Sequence, residues 1–217
     1  MTYSSILVAT LVGVSWGACP TVDVQHDLNL TEYTRASWYP QWQQVTKYQA
    51  EESLFCVVAT YNDTKHGAPQ HVPLFKGPVK AVYNHDSQGA VNGTAEGAQL
   101  CARVPDEKVP AKLKVAPCFL PNLAAGDYWV LAAGPSPSNY EWAVISGGQP
   151  TVQYDDGCTT KEDSNANAGL WLFHRKPVAP SADVAAMKQL LSGMGFTLTR
   201  LKPVAQDGCT YDGAFRK

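Results

Sequence analysis

No charge excess marks this chain. Its 217 residues carry 17 Lys and Arg against 19 Asp and Glu, a formal net charge of −2. Nothing electrostatic therefore points to nucleic acid or to an anionic membrane as partner. A spanning helix needs about 20 consecutive apolar residues. The leading apolar stretch, Ile6 to Trp16, offers about eleven and excludes stable membrane insertion by that segment. None of the six cysteines has CxxC spacing, which argues against zinc and thioredoxin-type chemistry. The chain has no phosphate-binding loop, internal repeat, low-complexity tract or domain linker.

Catalytic constellations are missing as well. A formal G-x-S-x-G at Gly13–Gly17 lies in the leading apolar segment, away from the strand and helix that a nucleophile elbow requires. His66 and His71 share a Gly/Pro-rich loop with no third ligand near in sequence, so they read as solvated loop residues. His174 precedes Arg175 on the opposite face and reads as helix-facing or exposed. Asp155 and Asp156 sit in a DDGC turn, where they serve backbone geometry rather than acid–base work. No catalytic residue and no metal ligand set are assigned.

Cysteine, aromatics and turn residues are what the chain does have. Residues 1–17 read as a secretory signal peptide without a basic n-region, with Ser15 and Gly17 at the −3 and −1 positions of a cut before Ala18. The competing reading is a bacterial lipoprotein signal with the lipid on Cys19. Cys19, Cys56, Cys101, Cys118, Cys158 and Cys209 all survive the cut, and an even count in an exported chain argues for three disulfides. Residue spacing alone leaves 15 pairings open. Sequons at Asn29, Asn62 and Asn92 permit glycosylation in a eukaryotic host.

From Cys19 onward, short strands alternate with turn chemistry. The candidates are Ser37–Gln43, Ser53–Tyr61, Val79–His85, Ala90–Glu96, Lys112–Ala116, Tyr128–Ala133, Glu141–Ile145, Thr151–Tyr154 and Leu170–His174. Gly, Pro, Asn and Asp fill the breaks, and no helices intervene, which predicts an antiparallel meander closed as a sandwich or barrel. Ser181–Met194 departs from this. It sets Val184, Met187, Leu191 and Met194 on one helix face, with Ser181 as N-cap and Gly193 or Gly195 as terminator. FTLTRLKPV follows as a last short strand. Leu170–Arg175 is apolar on both parities, as for a strand with lumen on one side and a packed helix on the other.

Taken in order, these segments resemble the lipocalin family, in its apolipoprotein D, crustacyanin and insect biliprotein branch. The resemblance rests on ACPTVDVQHDLNLTEYTRASWY at the start, CVVATY, PAKLKV with DYWVLAA, GLWLFHRKP, and ADVAAMKQLLSGMGFTLTRLKPVAQDGC at the end. It runs over Cys19 to Cys209. Two places depart from the family pattern: its Gly-x-Trp is Ala36-Ser37-Trp38, and GPSPSNY replaces its TDY loop.

The resemblance implies an all-β, eight-stranded antiparallel up-and-down barrel over about 35–175. One C-terminal α-helix over about 181–194 packs outside, in a single domain of residues 18–217. It implies that Trp38 forms the barrel floor, with Arg175 stacked across it. It suggests the pairs Cys56–Cys209 and Cys19–Cys158, which leaves Cys101–Cys118. It implies a secreted carrier or sequestering protein for a small hydrophobic ligand: a lipid, sterol, retinoid, carotenoid or bilin. No cofactor is required, though a bound carotenoid or bilin chromophore or a lipid is compatible, as is a homo- or hetero-oligomer. Tyr61, Trp129 and Trp171 match ligand-facing positions of that branch. Strand parity adds Trp42, Phe55, Val57, Tyr83, Leu131, Trp142 and Phe173; the plainer reading is that several of these simply fill the barrel. Two alternatives stand beside the carrier: a lipocalin-fold enzyme acting on a lipid or xanthophyll, and an interaction module that uses the barrel loops.

Overall fold

The computed structural model describes residues 18–65, 68–69, 71–85 and 100–217. The expected signal segment, the strand expected over Ala90–Glu96, Asn92 and His66 lie outside these residues.

The regular structure of the described residues is mostly strand. In order come α1 (Leu30–Tyr33), β1 (Tyr39–Gln44), β2 (Val58–Asn62), β3 (Thr64–Lys65), β4 (Ala68–Pro69), β5 (Val79–His85) and β6 (Leu100–Arg103). Then come β7 (Lys112–Pro117), β8 (Gly126–Ser136), β9 (Asn139–Ser146), β10 (Val152–Tyr154), β11 (Gly157–Thr159), β12 (Leu170–His174), α2 (Ser181–Gly193) and β13 (Leu201–Pro203). The main sheet runs β13-β1-β12-β9-β8-β7-β6-β5-β2, with antiparallel pairing throughout. A single antiparallel bridge, Trp38 with Ala59, carries the first strand across to β2 and curls the sheet into a barrel. The other half of β1, from Trp42 to Gln44, takes β13 as its neighbour. Eight strands and one outer strand thus make the expected all-β lipocalin-type barrel.

Some boundaries differ from those expected, each for a local reason. β2 begins at Val58 rather than Ser53, because Glu51–Ser53 forms a 3-10 turn and Cys56 holds φ at +53°. Leu100–Arg103 is a strand that the alternation does not signal. Thr151–Tyr154 contributes a strand that pairs only with β11 in a hairpin outside the barrel. Of FTLTRLKPV only Leu201–Pro203 is strand. Ser181 is the first helical residue rather than the cap; Pro180 holds the cap position, with no side-chain hydrogen bond there.

α2 buries Met187 and Leu191 against the sheet. Its end depends on Gly195, whose φ of +82° continues past Met194. A Cβ at Gly195 would stand 2.6 Å from the Pro20 ring, so only glycine lets the leading segment cross here. The crossing is stapled beside it: Cys19 is bonded to Cys158, whose backbone exchanges hydrogen bonds with Gly195 and Thr197. Cys56–Cys209 ties the tail to the start of β2, and Cys101–Cys118 ties β6 to the loop after β7. These are the pairs that the resemblance implied. On the chain-entropy view the two long bridges contribute about 5 kcal/mol each and the short one about 3. Among the described residues, no helix is long and apolar enough to cross a membrane.

Candidate ligand-binding cavity

The closed end of the barrel is built from the first aromatic run. Trp38 is fully buried, and its indole N–H donates to the Tyr33 carbonyl at 2.9 Å. The Arg175 guanidinium lies 3.4 Å over the Trp38 ring, a contact worth roughly 0.5–2 kcal/mol. Arg175 also donates to the carbonyls of Glu32, Tyr33, Ala36, Ser37 and Tyr140. Burial pulls this guanidinium down to about 10, so it stays charged at neutral pH. The expected floor pair, Trp38 and Arg175, is therefore assembled, and Ala36 in place of the family glycine leaves it intact.

Above the floor, three tyrosines converge. Tyr33 and Tyr128 hydroxyls are 2.6 Å apart, and the Tyr61 hydroxyl donates to that of Tyr128 at 2.8 Å. Burial pushes all three phenols above their ordinary 10, so they are neutral at any physiological pH. Phe173 packs on Trp38 with ring centroids 6.2 Å apart, and Trp171 stacks on Tyr128 at 6.3 Å. Trp171 owes its position partly to Gly169: a Cβ there would meet the indole at 2.1 Å.

Over this base stands a cavity of about 630 Å³, within the range of small-molecule sites. Val57, Tyr61, Trp171 and Phe173 of the expected wall residues line it. Val82, Leu100, Val115 and Tyr128 complete the apolar wall; Gln43, Tyr48, Gln49, Leu120 and Asn165–Ala168 stand toward the mouth. Tyr48 is half-exposed and donates to the Ala168 carbonyl at 2.9 Å, bridging two rim loops. The rim loop after β7 leaves Phe119 and Leu123 exposed to solvent.

Six expected wall residues lie elsewhere. Trp42 is on the outer face, under Lys188 of α2 at 2.9 Å from the ring centroid. The register of β1 against β12 shifts between Pro40 and Trp42, so one extra residue, Gln41, inverts the parity. Pro40 and Gln43 face the lumen instead. Trp129 faces outward, with the Lys112 ammonium 4.5 Å over its ring, in a separate surface hollow beside Pro105 and Val109. Leu131 falls at a second register shift, between Val130 and Ala132, and is packed in the core without lining the cavity. Trp142 pairs with His174 on the outer face, and its indole fills the space that a side chain at Gly134 would take. Tyr83 is covered from outside by Phe215 of the tail, at 4.5 Å between centroids. Phe55 precedes the kink at Cys56 and bridges to Ala205. The missed lumen aromatic is Tyr128, which shares a strand in which both parities are rich in large apolar residues.

Among the described residues no group of three His, Cys, Asp or Glu side chains is placed to hold a metal ion. All six cysteines are bonded, so no thiol is free.

No family model matches the chain. It is 23% identical to mouse (Mus musculus) apolipoprotein D over 203 residues, 89% of this chain and 85% of that protein. Among solved structures it is similar to apocrustacyanin C2, with a TM-score of 0.53 and 16% identity over 91% of this chain and 96% of that one. Lobster apocrustacyanin A1 gives a TM-score of 0.50 and 15% identity, covering 93% and 98%. The cockroach allergen Per a 4 gives 0.50 and 12%, covering 90% and 98%. The chain has a lipocalin fold and resembles the apolipoprotein D and crustacyanin branch of that family.

Proposed function

We propose that this chain is an exported binding protein that carries or sequesters one small hydrophobic molecule in its barrel. The observation that carries the reading is the cavity of about 630 Å³ between the sealed Trp38–Arg175 floor and an open mouth. Its walls are apolar, with sparse hydroxyls and amides to orient an occupant, which is the character of a small-molecule site. Hiding ~300 Å² of apolar ligand surface at about 25 cal/mol per Å² offers roughly 7 kcal/mol before the costs of immobilisation.

Two features weigh against catalysis. The enzyme alternatives call for a free thiol or paired lumen acids. Every cysteine is bonded, and the one carboxylate among the described lining residues, Asp127, is held by Lys114 at 2.8 Å. Export through residues 1–17, a single domain over 18–217, and glycosylation at Asn29, Asn62 and Asn92 belong to the same reading. Asn29 is exposed, which suits it to carry a glycan. Its side-chain Oδ1 caps α1 by accepting from the Glu32 N–H.

The test is an absorption spectrum of protein purified from its own source, followed by mass spectrometry of its organic extract. A visible band with a stoichiometric pigment identifies a carotenoid or bilin carrier. A colourless protein that yields a lipid identifies a lipid carrier. An empty extract, with no quenching of the tryptophans by any apolar probe, overturns the proposal.

A further inference from the structure

Resting on that reading, a count of hydrogen-bonding groups inside the cavity narrows its occupant. The three phenols of Tyr33, Tyr61 and Tyr128 carry three protons, and two hydrogen bonds join them. One proton is left over. Tyr61 donates to Tyr128, so the spare proton belongs either to Tyr33, which is buried and does not line the cavity, or to Tyr128, which does. Leaving an unpaired O–H at Tyr33 is the costlier arrangement. On that ground Tyr128 is assigned as acceptor from both neighbours, and its own O–H is the one left for whatever fills the barrel.

Gln43 has the opposite need. It is fully buried and lines the cavity, and its amide N–H donates to Gln49 Oε1 at 2.8 Å. Its own Oε1 is buried with no hydrogen-bond partner. A buried carbonyl without a donor is a standing penalty that an occupant with an O–H or N–H would relieve. Trp171 separates the two groups: its backbone pairs with Gln43 and its ring stacks on Tyr128.

The site offers no counter-charge. Among the described lining residues there is no Lys or Arg, and Asp127 is already paired with Lys114. His85 accepts the Phe215 N–H at Nε2. The charged Arg175 is stacked on the Trp38 ring with its donors taken by five carbonyls. A buried carboxylate would go unpaired, and beside Gln43 Oε1 it would be repelled.

From this we infer that the cavity is matched to an uncharged apolar molecule with an acceptor oxygen at its inner end, bound by the Tyr128 hydroxyl, and a hydroxyl or N–H bound by Gln43 Oε1. A fatty acid would meet Tyr128 with its methyl end and leave both groups unpaired.

The experiment compares four probes by fluorescence titration and calorimetry on the full mature chain. Diphenylhexatriene, a pure hydrocarbon, tests the cavity alone. Testosterone carries an acceptor ketone and a donor hydroxyl; androstenedione has a ketone in place of that hydroxyl; oleate is anionic. Tyr128→Phe is expected to weaken both steroids roughly 3- to 10-fold, the usual span of one neutral hydrogen bond, and to leave diphenylhexatriene and oleate unchanged or tighter. Gln43→Met is expected to weaken testosterone by a similar factor and leave androstenedione unchanged. Near-UV circular dichroism checks that each variant keeps the native packing. Diphenylhexatriene binding with both variants shifting all probes alike, or none, overturns the hydrogen-bond assignment, as does oleate binding more tightly than testosterone. If diphenylhexatriene itself fails to bind the wild type, the carrier reading falls, and this inference with it.

Discussion

The two ends of the barrel are made of similar residues put to different use. At the closed end, Trp38, Arg175 and the backbone of α1 satisfy one another: the indole N–H, the guanidinium donors and the carbonyls they reach all have partners. At the open end, Tyr48 is half-exposed and Phe119 and Leu123 face water, while Gln43 keeps an unpaired carbonyl inside. Saturated groups stabilise the fold and have nothing left to offer a ligand. Unsaturated groups weaken the empty protein slightly and become binding energy when an occupant arrives. Stability and affinity are thus placed at opposite ends of one cavity.

The largest test of that division is at the closed end. Trp38→Ala removes a fully buried indole and leaves the Arg175 guanidinium without its aromatic platform. We expect a loss of about 4 kcal/mol in unfolding free energy, read from the denaturant midpoint. A loss below about 1 kcal/mol would mean that the floor is not a stability element. Next comes Trp171→Ala in the lumen, set against Trp42→Ala on the outer face. The first removes a wall ring and is expected to weaken diphenylhexatriene binding roughly 10-fold or more. The second is expected to leave that affinity within about twofold while costing stability under α2. Equal effects on affinity would contradict the inverted parity of β1.

That parity marks the limit of what was readable in the residues. The strand alternation is a local signal and survives folding, while the cysteine pairs and the Trp38–Arg175 floor are legible only through the family resemblance. Side-chain direction is different, because one inserted residue reverses it for the rest of a strand. The extra residue Gln41 turned Trp42 outward and brought Gln43 in, and the shift at Val130–Ala132 removed Leu131 from the wall. Gln41 has its own role: its amide bonds Pro177 and Ala179, holding the link into α2. That partner lies more than 130 residues away, and no window along β1 contains it. Tyr83 and Trp129 failed differently. Both faces of their strands are apolar enough for lumen, since tail residues or loops cover the outside. The polar rung at Gln43 and Gln49 gave no signal at all, because a glutamine in an alternating strand reads as solvent-facing.

The outer face has a pH-dependent contact that the lumen lacks. His174 is buried beneath α2, with Nε2 at 3.2 Å from Asp183 and Nδ1 accepting the Lys176 N–H. Burial holds its pKa below the ordinary 6.5; Asp183 and Glu141 oppose that shift and Lys176 adds to it. The unfolded chain therefore takes up this proton at higher pH than the folded one. Stability is then lost as pH falls from about 6.5 toward the folded value. The denaturant midpoint of the wild type is expected to drop between pH 7 and pH 5, and His174→Gln to flatten that drop. An identical pH profile in the variant would remove His174 from the account. Tyr33, Tyr61 and Tyr128 stay neutral over the same range, so affinity for an uncharged probe should not follow the stability curve.

The smallest expected effect belongs to Trp129, the resemblance's own ligand-facing position. Its ring carries the Lys112 ammonium on the outer face, in a surface hollow of about 350 Å³ separate from the barrel. Trp129→Ala should cost about 1–2 kcal/mol of stability, since the half-buried ring packs on the core as well as carrying a cation–π contact worth roughly 0.5–1. It should shift testosterone or diphenylhexatriene affinity by less than about twofold. The comparison is informative because Tyr128, the next residue along β8, is predicted to change affinity for oxygenated probes several-fold. Two adjacent aromatic positions, one on each side of a single strand, thereby separate wall from surface. A Trp129→Ala effect as large as that of Tyr128→Phe would place the ligand outside the barrel and leave the cavity as packing volume alone.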